Sequence, residues 1–151
     1  MSLKARLRNI LARISISPNA APIAILVVGA LAFGLLIPAL GFYWDDWPIV
    51  LMGRIHGDLW QYYSSDRPFM AWPDLAFLGL AGGNPFAWQA AALLVRMAAA
   101  TAFWWCLTLV WPRAGRQALG VALLFAIHPA FTQQPLAITY KSHFTVGLLY
   151  F

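Results

Sequence analysis

The chain consists of long apolar runs separated by shorter segments that carry most of its charges. The first run, Ala20 to Phe42, contains no charged residue, and the second, Phe86 to Trp111, contains one, Arg96. A helix needs about 20 mostly apolar residues to cross the hydrocarbon core of a bilayer. Each run is that long, so the pattern predicts two transmembrane helices.

Two further runs extend this pattern. The third, from Ala118 to about Ile138, becomes polar at its far end, where His128, Thr132, Gln133 and Gln134 lie. A fourth begins near Phe144, and the sequence stops within it at Phe151. The sequence therefore predicts an all-α polytopic membrane protein with three spans and the start of a fourth. We expect residues 1–151 to form one N-terminal membrane module that is incomplete.

Between the first two spans lies a shorter apolar segment, Pro68 to Ala81, which is interrupted by Pro73 and Asp74. It is shorter than a spanning helix should be. If it did cross, Arg113 and Arg116 would face outward, against the preference of basic loops for the cytoplasm. The sequence therefore favours an interfacial helix within the first external loop.

Charge fixes the expected orientation and the class of partner. Basic residues precede the first span, which predicts a cytoplasmic N-terminus: Lys4, Arg6, Arg8 and Arg13. Only 10% of the residues are charged and 62% are hydrophobic, whereas about 25% are charged in an ordinary soluble domain. The net charge is +5, and the basic residues lie beside apolar segments. Membrane lipid, rather than nucleic acid, is therefore the expected partner.

The acidic residues are all aspartates and all lie in the predicted external region. Asp45 and Asp46 are adjacent and stand between Trp44 and Trp47. Repulsion between like charges and low local polarity raise carboxyl pKa values, which suits a general base or a ligand of a divalent cation such as Mg or Mn. Alternatively, the two acids cap a helix end in water, although acids at a helix C-terminus oppose its dipole.

Two arginines are candidate substrate-binding residues. Arg67 precedes Pro68, where the loop returns to the interface. Its guanidinium can hold a lipid phosphate with two parallel hydrogen bonds. Alternatively, the side chain extends toward the headgroups and anchors the short helix. Arg96 lies well inside the second span, where burial costs about 2.5–3.5 kcal/mol, so it should face protein or a water-filled cavity. It either pairs with an acid of a later helix or reaches a lipid phosphate.

Three short stretches carry a resemblance to a known family. They are Asp66-Arg67-Pro68, Gly83-Asn84-Pro85-Phe86, and the His-Pro stretch from Leu124 to Gln134. Together with the order of the spans, they resemble the start of the GT-C superfamily of glycosyltransferases. This superfamily includes protein O-mannosyltransferases, lipid A aminoarabinose transferases and transmembrane proteins with tetratricopeptide repeats. The resemblance covers nearly the whole chain.

The resemblance implies an inverting enzyme of the bacterial inner membrane. It would transfer a sugar from a polyprenyl-phosphate-linked donor to an acceptor outside the cytoplasm. By the same resemblance, Asp45 is the catalytic base, Asp46 is its helper or a metal ligand, and Arg67 contacts the carrier phosphate.

The chain also departs from the family pattern. Gln133 or Gln134 replaces a glutamate of the repeat-bearing relatives, and residues 141–143 (Lys-Ser-His) replace an aspartate of several others. A second external carboxylate is thus missing, which places a metal site in doubt. The alternatives are a non-catalytic membrane protein, such as a transporter half, an assembly factor or a degenerate relative, and a fragment without activity of its own.

Overall fold

A computed structural model describes residues 20–128 and 135–151. Within these ranges all regular structure is helical, which confirms the all-α prediction for this part of the chain. The helices are α1 (Ala21–Phe33), α2 (Asp46–Arg54), α3 (Leu59–Tyr63), α4 (Ala71–Ala81), α5 (Pro85–Val110), α6 (Gly115–Ile127) and α7 (Ala137–Tyr150). A 3-10 segment, Gly34–Ala39, continues α1, and short 3-10 turns, Pro68–Met70 and Pro112–Ala114, precede α4 and α6.

Two helical segments are long and apolar enough to cross a membrane: Ala21–Ala39 and Pro85–Val110. Only 22% and 28% of the residues in their most apolar windows are buried. A core helix of a soluble protein would bury most of such a surface, whereas these segments expose large apolar side chains, including Ile23, Leu31, Leu35, Leu94 and Leu109. They match the first two predicted spans.

The ends of these segments follow from local chemistry. The first segment ends at Ala39 rather than at Phe42, because Pro38 cannot donate a backbone hydrogen bond and Leu40 turns into extended conformation (φ −89°, ψ 141°). At the start of α5, the Asn84 side chain accepts hydrogen bonds from the backbone N–H of Phe86 (3.0 Å) and Ala87 (3.4 Å). With Pro85 at the first helical position, Asn-Pro is a helix-starting signal.

The predicted boundary between the third and fourth runs is wrong. Helix α6 ends at Ile127, and His128 is extended (ψ 132°), because the residue before a proline, here Pro129, avoids the helical region. Ile138 belongs to α7, which begins at Ala137 rather than near Phe144. The expectations for Thr132, Gln133, Gln134 and the basic N-terminal residues fall on positions outside the described ranges.

The buried side chains form two cores. The bundle core lies between α1, α5 and α6 and consists of Ala21, Ile25, Ile37, Leu93, Met97, Ala100, Leu119, Ala122 and Ala126. The loop core joins α2, α3 and α4 to the first half of α5 and the start of α7 and consists of Ile49, Val50, Leu59, Tyr63, Ala71, Trp88, Ala92, Ala137 and Ile138. Helix α5 therefore contributes to both cores.

Candidate functional site

The sequence suggested that the two adjacent acids lie at the C-terminal end of the first helical segment. In the structure they lie at the start of α2 instead. After Ala39 the chain runs irregularly to Trp44, which has a left-handed backbone (φ 41°). Asp45 is the N-terminal flanking residue of α2, and Asp46 is its first helical residue. The helix dipole therefore favours a negative charge at Asp46 rather than opposing it. A structural role for Asp46 is therefore compatible with the helix dipole.

Asp46 is fully buried and ties α2 to the beginning of α7. Its Oδ1 accepts hydrogen bonds from the backbone N–H of Ile138 (3.0 Å) and Thr139 (3.3 Å). Burial raises the pKa of Asp46 to about 6, while these backbone N–H groups act in the opposite direction. Of the two causes that the sequence suggested, low local polarity through burial raises the pKa of Asp46, and repulsion by Asp45 is not among the causes.

Asp45, in contrast, is exposed and does not cap α2 with its side chain. Within the described ranges, no hydrogen bond or ion pair connects it to Arg67. The two acids thus have different surroundings. Of the two, only Asp45 has a side chain exposed to solvent.

A buried polar cluster, formed by Tyr63, Asp74 and Lys141, lies beside the loop core. The Asp74 carboxylate accepts a hydrogen bond from the Tyr63 hydroxyl (2.5 Å) at one oxygen and from the Lys141 ammonium (2.5 Å) at the other. The Asp74 and Lys141 side chains are both completely buried. Each is paired at close range, as a buried charge requires.

The surroundings of this cluster are aromatic. The Lys141 ammonium lies 4.3 Å from the ring centre of Phe77 and 4.7 Å from that of Trp88, which adds cation–π attraction to the ion pair. Burial and the neighbouring Asp74 carboxylate raise the pKa of Tyr63, so its phenol remains a protonated donor.

Sequence analysis missed this cluster. It treated Asp74 only as an interruption of an apolar segment and Lys141 only as a departure from a family pattern. A usable signal was present, because Asp74 is the only charge of residues 68–81, Lys141 is the only charge of residues 135–151, and the two charges are opposite. Isolated charges in apolar segments generally pair with one another.

Arg67 lies at the edge of a groove of about 390 Å³, here called the Arg67 groove. One wall is formed by residues 66–70, and the other by Ser142, His143 and Val146 of α7. Arg67 Nε contacts Asp66 Oδ2 at 3.0 Å, and the two side chains are 53% and 56% exposed. The guanidinium is thus held through Nε, while its two terminal NH₂ groups are the ones suited to a bidentate oxygen ligand.

Arg96 is fully buried where α1, α5, α6 and α7 meet, in keeping with the expectation that it faces protein. Its Nε donates to the carbonyl of Ala126 near the C-terminal end of α6 (2.8 Å). Its guanidinium lies 3.8 Å from the ring centre of Phe33 and 5.0 Å from that of Phe144. A cation at a helix C-terminus is stabilising. These contacts are with a backbone carbonyl and aromatic rings of the protein, and the substrate-binding role of Arg96 stays a prediction.

Among residues 20–128 and 135–151, no three or more His, Cys, Asp or Glu residues cluster in a way that could hold a metal ion. One oxygen of Asp46 already accepts two backbone hydrogen bonds. The divalent cation remains a prediction.

Comparison of the chain with protein-family models, curated proteins and solved structures gave no significant match.

Proposed function

We propose that the chain is the N-terminal membrane module of a GT-C-type glycosyltransferase, which uses a polyprenyl-phosphate-linked sugar as its donor. The observation that carries this proposal is the Arg67 groove. It places an exposed guanidinium beside apolar walls formed by Pro68, Phe69 and Val146. A phosphate attached to an apolar chain needs a cation and an apolar surface side by side.

The lengths of the helices support a topology in which the connection between α1 and α5 stays on one side of the membrane. Helices α2, α3 and α4 have 9, 5 and 11 residues. Even the longest extends only about 16 Å, roughly half of the hydrocarbon thickness. Asp45 and Arg67 then share the non-cytoplasmic face, and α4 lies at the interface. Helix α6, with 13 residues, covers only part of the third crossing that this topology requires.

Each candidate residue takes one role in this proposal. Arg67 holds the carrier phosphate, and Asp45 removes the proton of the acceptor hydroxyl as that oxygen attacks the anomeric carbon. The bond between the anomeric carbon and the carrier phosphate oxygen breaks at the same time, and the polyprenyl phosphate leaves with that electron pair beside the Arg67 guanidinium. Asp46 acts indirectly, because its buried carboxylate fixes α7, which forms one wall of the groove.

The decisive experiment compares Asp45→Asn with Asp46→Asn in the full-length protein. Sugar transfer from a polyprenyl-phosphate donor is measured after both variants are shown to insert and fold. Loss of a positioned base reduces the rate by about 10² to 10⁴, so Asp45→Asn should lose nearly all transfer. Asp46→Asn keeps an oxygen acceptor for the α7 backbone and should retain more activity. If Asp45→Asn transfers sugar at the parental rate, the catalytic role is wrong, and a non-catalytic membrane protein becomes the better description.

The topology has a separate test. Single cysteines at Ser64 and Gln117, in a Cys106→Ala background, are exposed to a membrane-impermeant maleimide from outside. Only position 64 should react, because residues 112–117 carry the arginines that favour the cytoplasm. Labelling of position 117 from outside would mean that the segment containing α4 crosses the bilayer.

A further inference from the structure

The buried Tyr63–Asp74–Lys141 cluster lies where the two walls of the Arg67 groove are anchored. Tyr63 is in the last turn of α3, just before the wall formed by residues 66–70, and Asp74 is in α4, just after it. Lys141 directly precedes Ser142 and His143, which belong to the opposite wall. Asp74 therefore binds one partner from each side of the groove.

The contacts of the cluster are strong enough to fix these walls. The Tyr63 hydroxyl and the Lys141 ammonium approach different oxygens of one carboxylate. Breaking one contact would leave a buried charge or a buried polar atom without its partner, which the folded chain resists. The exposed Asp66–Arg67 pair, in comparison, is in contact with solvent and constrains only the guanidinium.

We propose that Asp74 and Lys141 are positioning residues of the Arg67 groove and that they set the separation at which Arg67 and His143 engage one phosphate group. The ligand class is an amphipathic phosphate, with its anionic head between these two side chains and its apolar chain along Phe69 and Val146. This inference rests on the proposed donor site. It adds that the separation of the two groove walls is set by Asp74 and Lys141, which do not line the groove. His143 is thereby a further phosphate-binding residue.

The test uses the double variant Asp74→Asn/Lys141→Gln in the purified full chain. This variant removes both charges together, so it leaves no uncompensated buried ion, and it retains polar groups of similar size. The probe is farnesyl phosphate, with farnesol, inorganic phosphate and phosphatidylglycerol as comparison ligands. Parallel samples carry Arg67→Ala, His143→Ala and, as a surface control, Asp58→Asn, whose residue caps α3 away from the groove walls.

The double variant should bind farnesyl phosphate about tenfold more weakly, since partners that orient a binding side chain typically contribute about 10- to 100-fold. His143→Ala and Arg67→Ala should also weaken binding, and Asp58→Asn should not. Stronger binding of farnesyl phosphate than of phosphatidylglycerol identifies a polyprenyl carrier as the source of the phosphate. The reverse order identifies a bilayer lipid and removes the support for the proposed donor. Binding of farnesol or inorganic phosphate as strong as that of farnesyl phosphate would overturn the amphipathic ligand class.

A second measurement reports the geometry without any ligand. Cysteines at Phe69 and Val146, in a Cys106→Ala background, are joined by a short bis-maleimide, and the rate of cross-linking is compared between the parent and the double variant. A changed rate in a folded double variant supports the positioning role. An unchanged rate, or undiminished farnesyl phosphate binding by the double variant, overturns it while leaving the Arg67 site in place. If the parent does not bind farnesyl phosphate, the proposed donor site fails, whatever the cross-linking rate shows.

Discussion

The bundle core and the loop core are held together by different interactions. The bundle core consists of apolar side chains, many of them small, with Ala100, Ala122 and Ala126 completely buried, and its one buried charge within the described residues is Arg96, bound to the Ala126 carbonyl. The loop core is accompanied by buried polar contacts from Asp46, from Asp74 with Lys141, and from the Trp88 indole to the Gly82 carbonyl (2.9 Å). Helices in lipid gain little from apolar burial and associate through close packing of small residues. The short helices α2, α3 and α4 instead pack with the help of specific polar partners.

The comparison predicts that single substitutions in the buried ion pair have the largest effect on stability. Lys141→Ala or Asp74→Ala should lower the free energy of unfolding by about 3–5 kcal/mol, because each leaves an uncompensated charge in the loop core. Unfolding in a denaturing detergent, followed by circular dichroism, measures the change. The double alanine variant should cost less than the sum of the two. Additive costs would show that the pair does not act as a unit.

In the bundle core, the sensitive position is a glycine. A Cβ at Gly29 would overlap the buried Met97 side chain. A Cβ at Gly120, in α6, would meet no other atom within 4 Å. Gly29→Ala should therefore cost about 1 kcal/mol, at the low end for overpacking, because the atoms that must shift are the flexible end of the Met97 side chain. Gly120→Ala, the matched control, should be neutral or stabilising by up to about 1 kcal/mol, since alanine favours a helix. Equal effects of the two substitutions in the same unfolding assay would contradict close packing of α1 on α5.

The pH dependence of stability should be concentrated in the loop core. The pKa of Asp46 is raised from 3.8 to about 6 in the folded chain, so its contribution to stability is fully present below pH 3.8 and is lost as the pH rises through 6. Asp46→Asn should remove this dependence, on the order of 1–2 kcal/mol between pH 4 and pH 7, while keeping an acceptor for Ile138 and Thr139. Unfolding measured across this pH range tests it. A parent whose stability rises between pH 4 and 7 as much as that of the variant would refute the assignment.

The smallest effect on stability is expected at Arg67. Its pair with Asp66 is exposed, and such pairs contribute about 0–1 kcal/mol. Arg67→Lys should change the free energy of unfolding by less than about 0.5 kcal/mol. Carrier binding should nevertheless weaken, because lysine lacks the planar fork that holds a phosphate through two bonds. Asp66→Asn provides the control for the loss of the pair alone. Unchanged carrier affinity in both Arg67→Lys and Arg67→Ala would exclude a phosphate role.

The sequence predicted the bundle better than the loops, and the reason is physical. Long apolar runs with proline or glycine at their ends determine α5 almost to the residue, since Phe86 to Trp111 was expected and Pro85–Val110 is observed. The break after Ile127 depends on a single proline within an apolar stretch, which composition alone does not reveal. Helix α2 was not predicted, because it is short and begins in a segment that was read as a helix end.

The sequence suggested candidate residues for the site but not their arrangement. Asp45, Asp46 and Arg67 were selected for their chemistry, yet only the fold shows that Asp46 is buried and Asp45 exposed. The contact between Asp74 and Lys141 joins residues 67 positions apart, and no local periodicity encodes such a contact. His143 was noted only as part of a departure, although it lines the same groove as Arg67.

The hydrogen bond between Asp46 and Ile138 has a consequence for synthesis. The two residues are 92 positions apart, and a ribosome that adds about 5–20 residues per second needs roughly 5–20 s to make the intervening chain. During that interval the first apolar segment is already available for insertion. Asp46 and Asp74 cannot yet bind Ile138 and Lys141, because α7 has not been made. The connection between α1 and α5 therefore reaches its final form only after α7 has been made. A translational pause before Ala137 would prolong the period in which Asp46 and Asp74 remain hydrated.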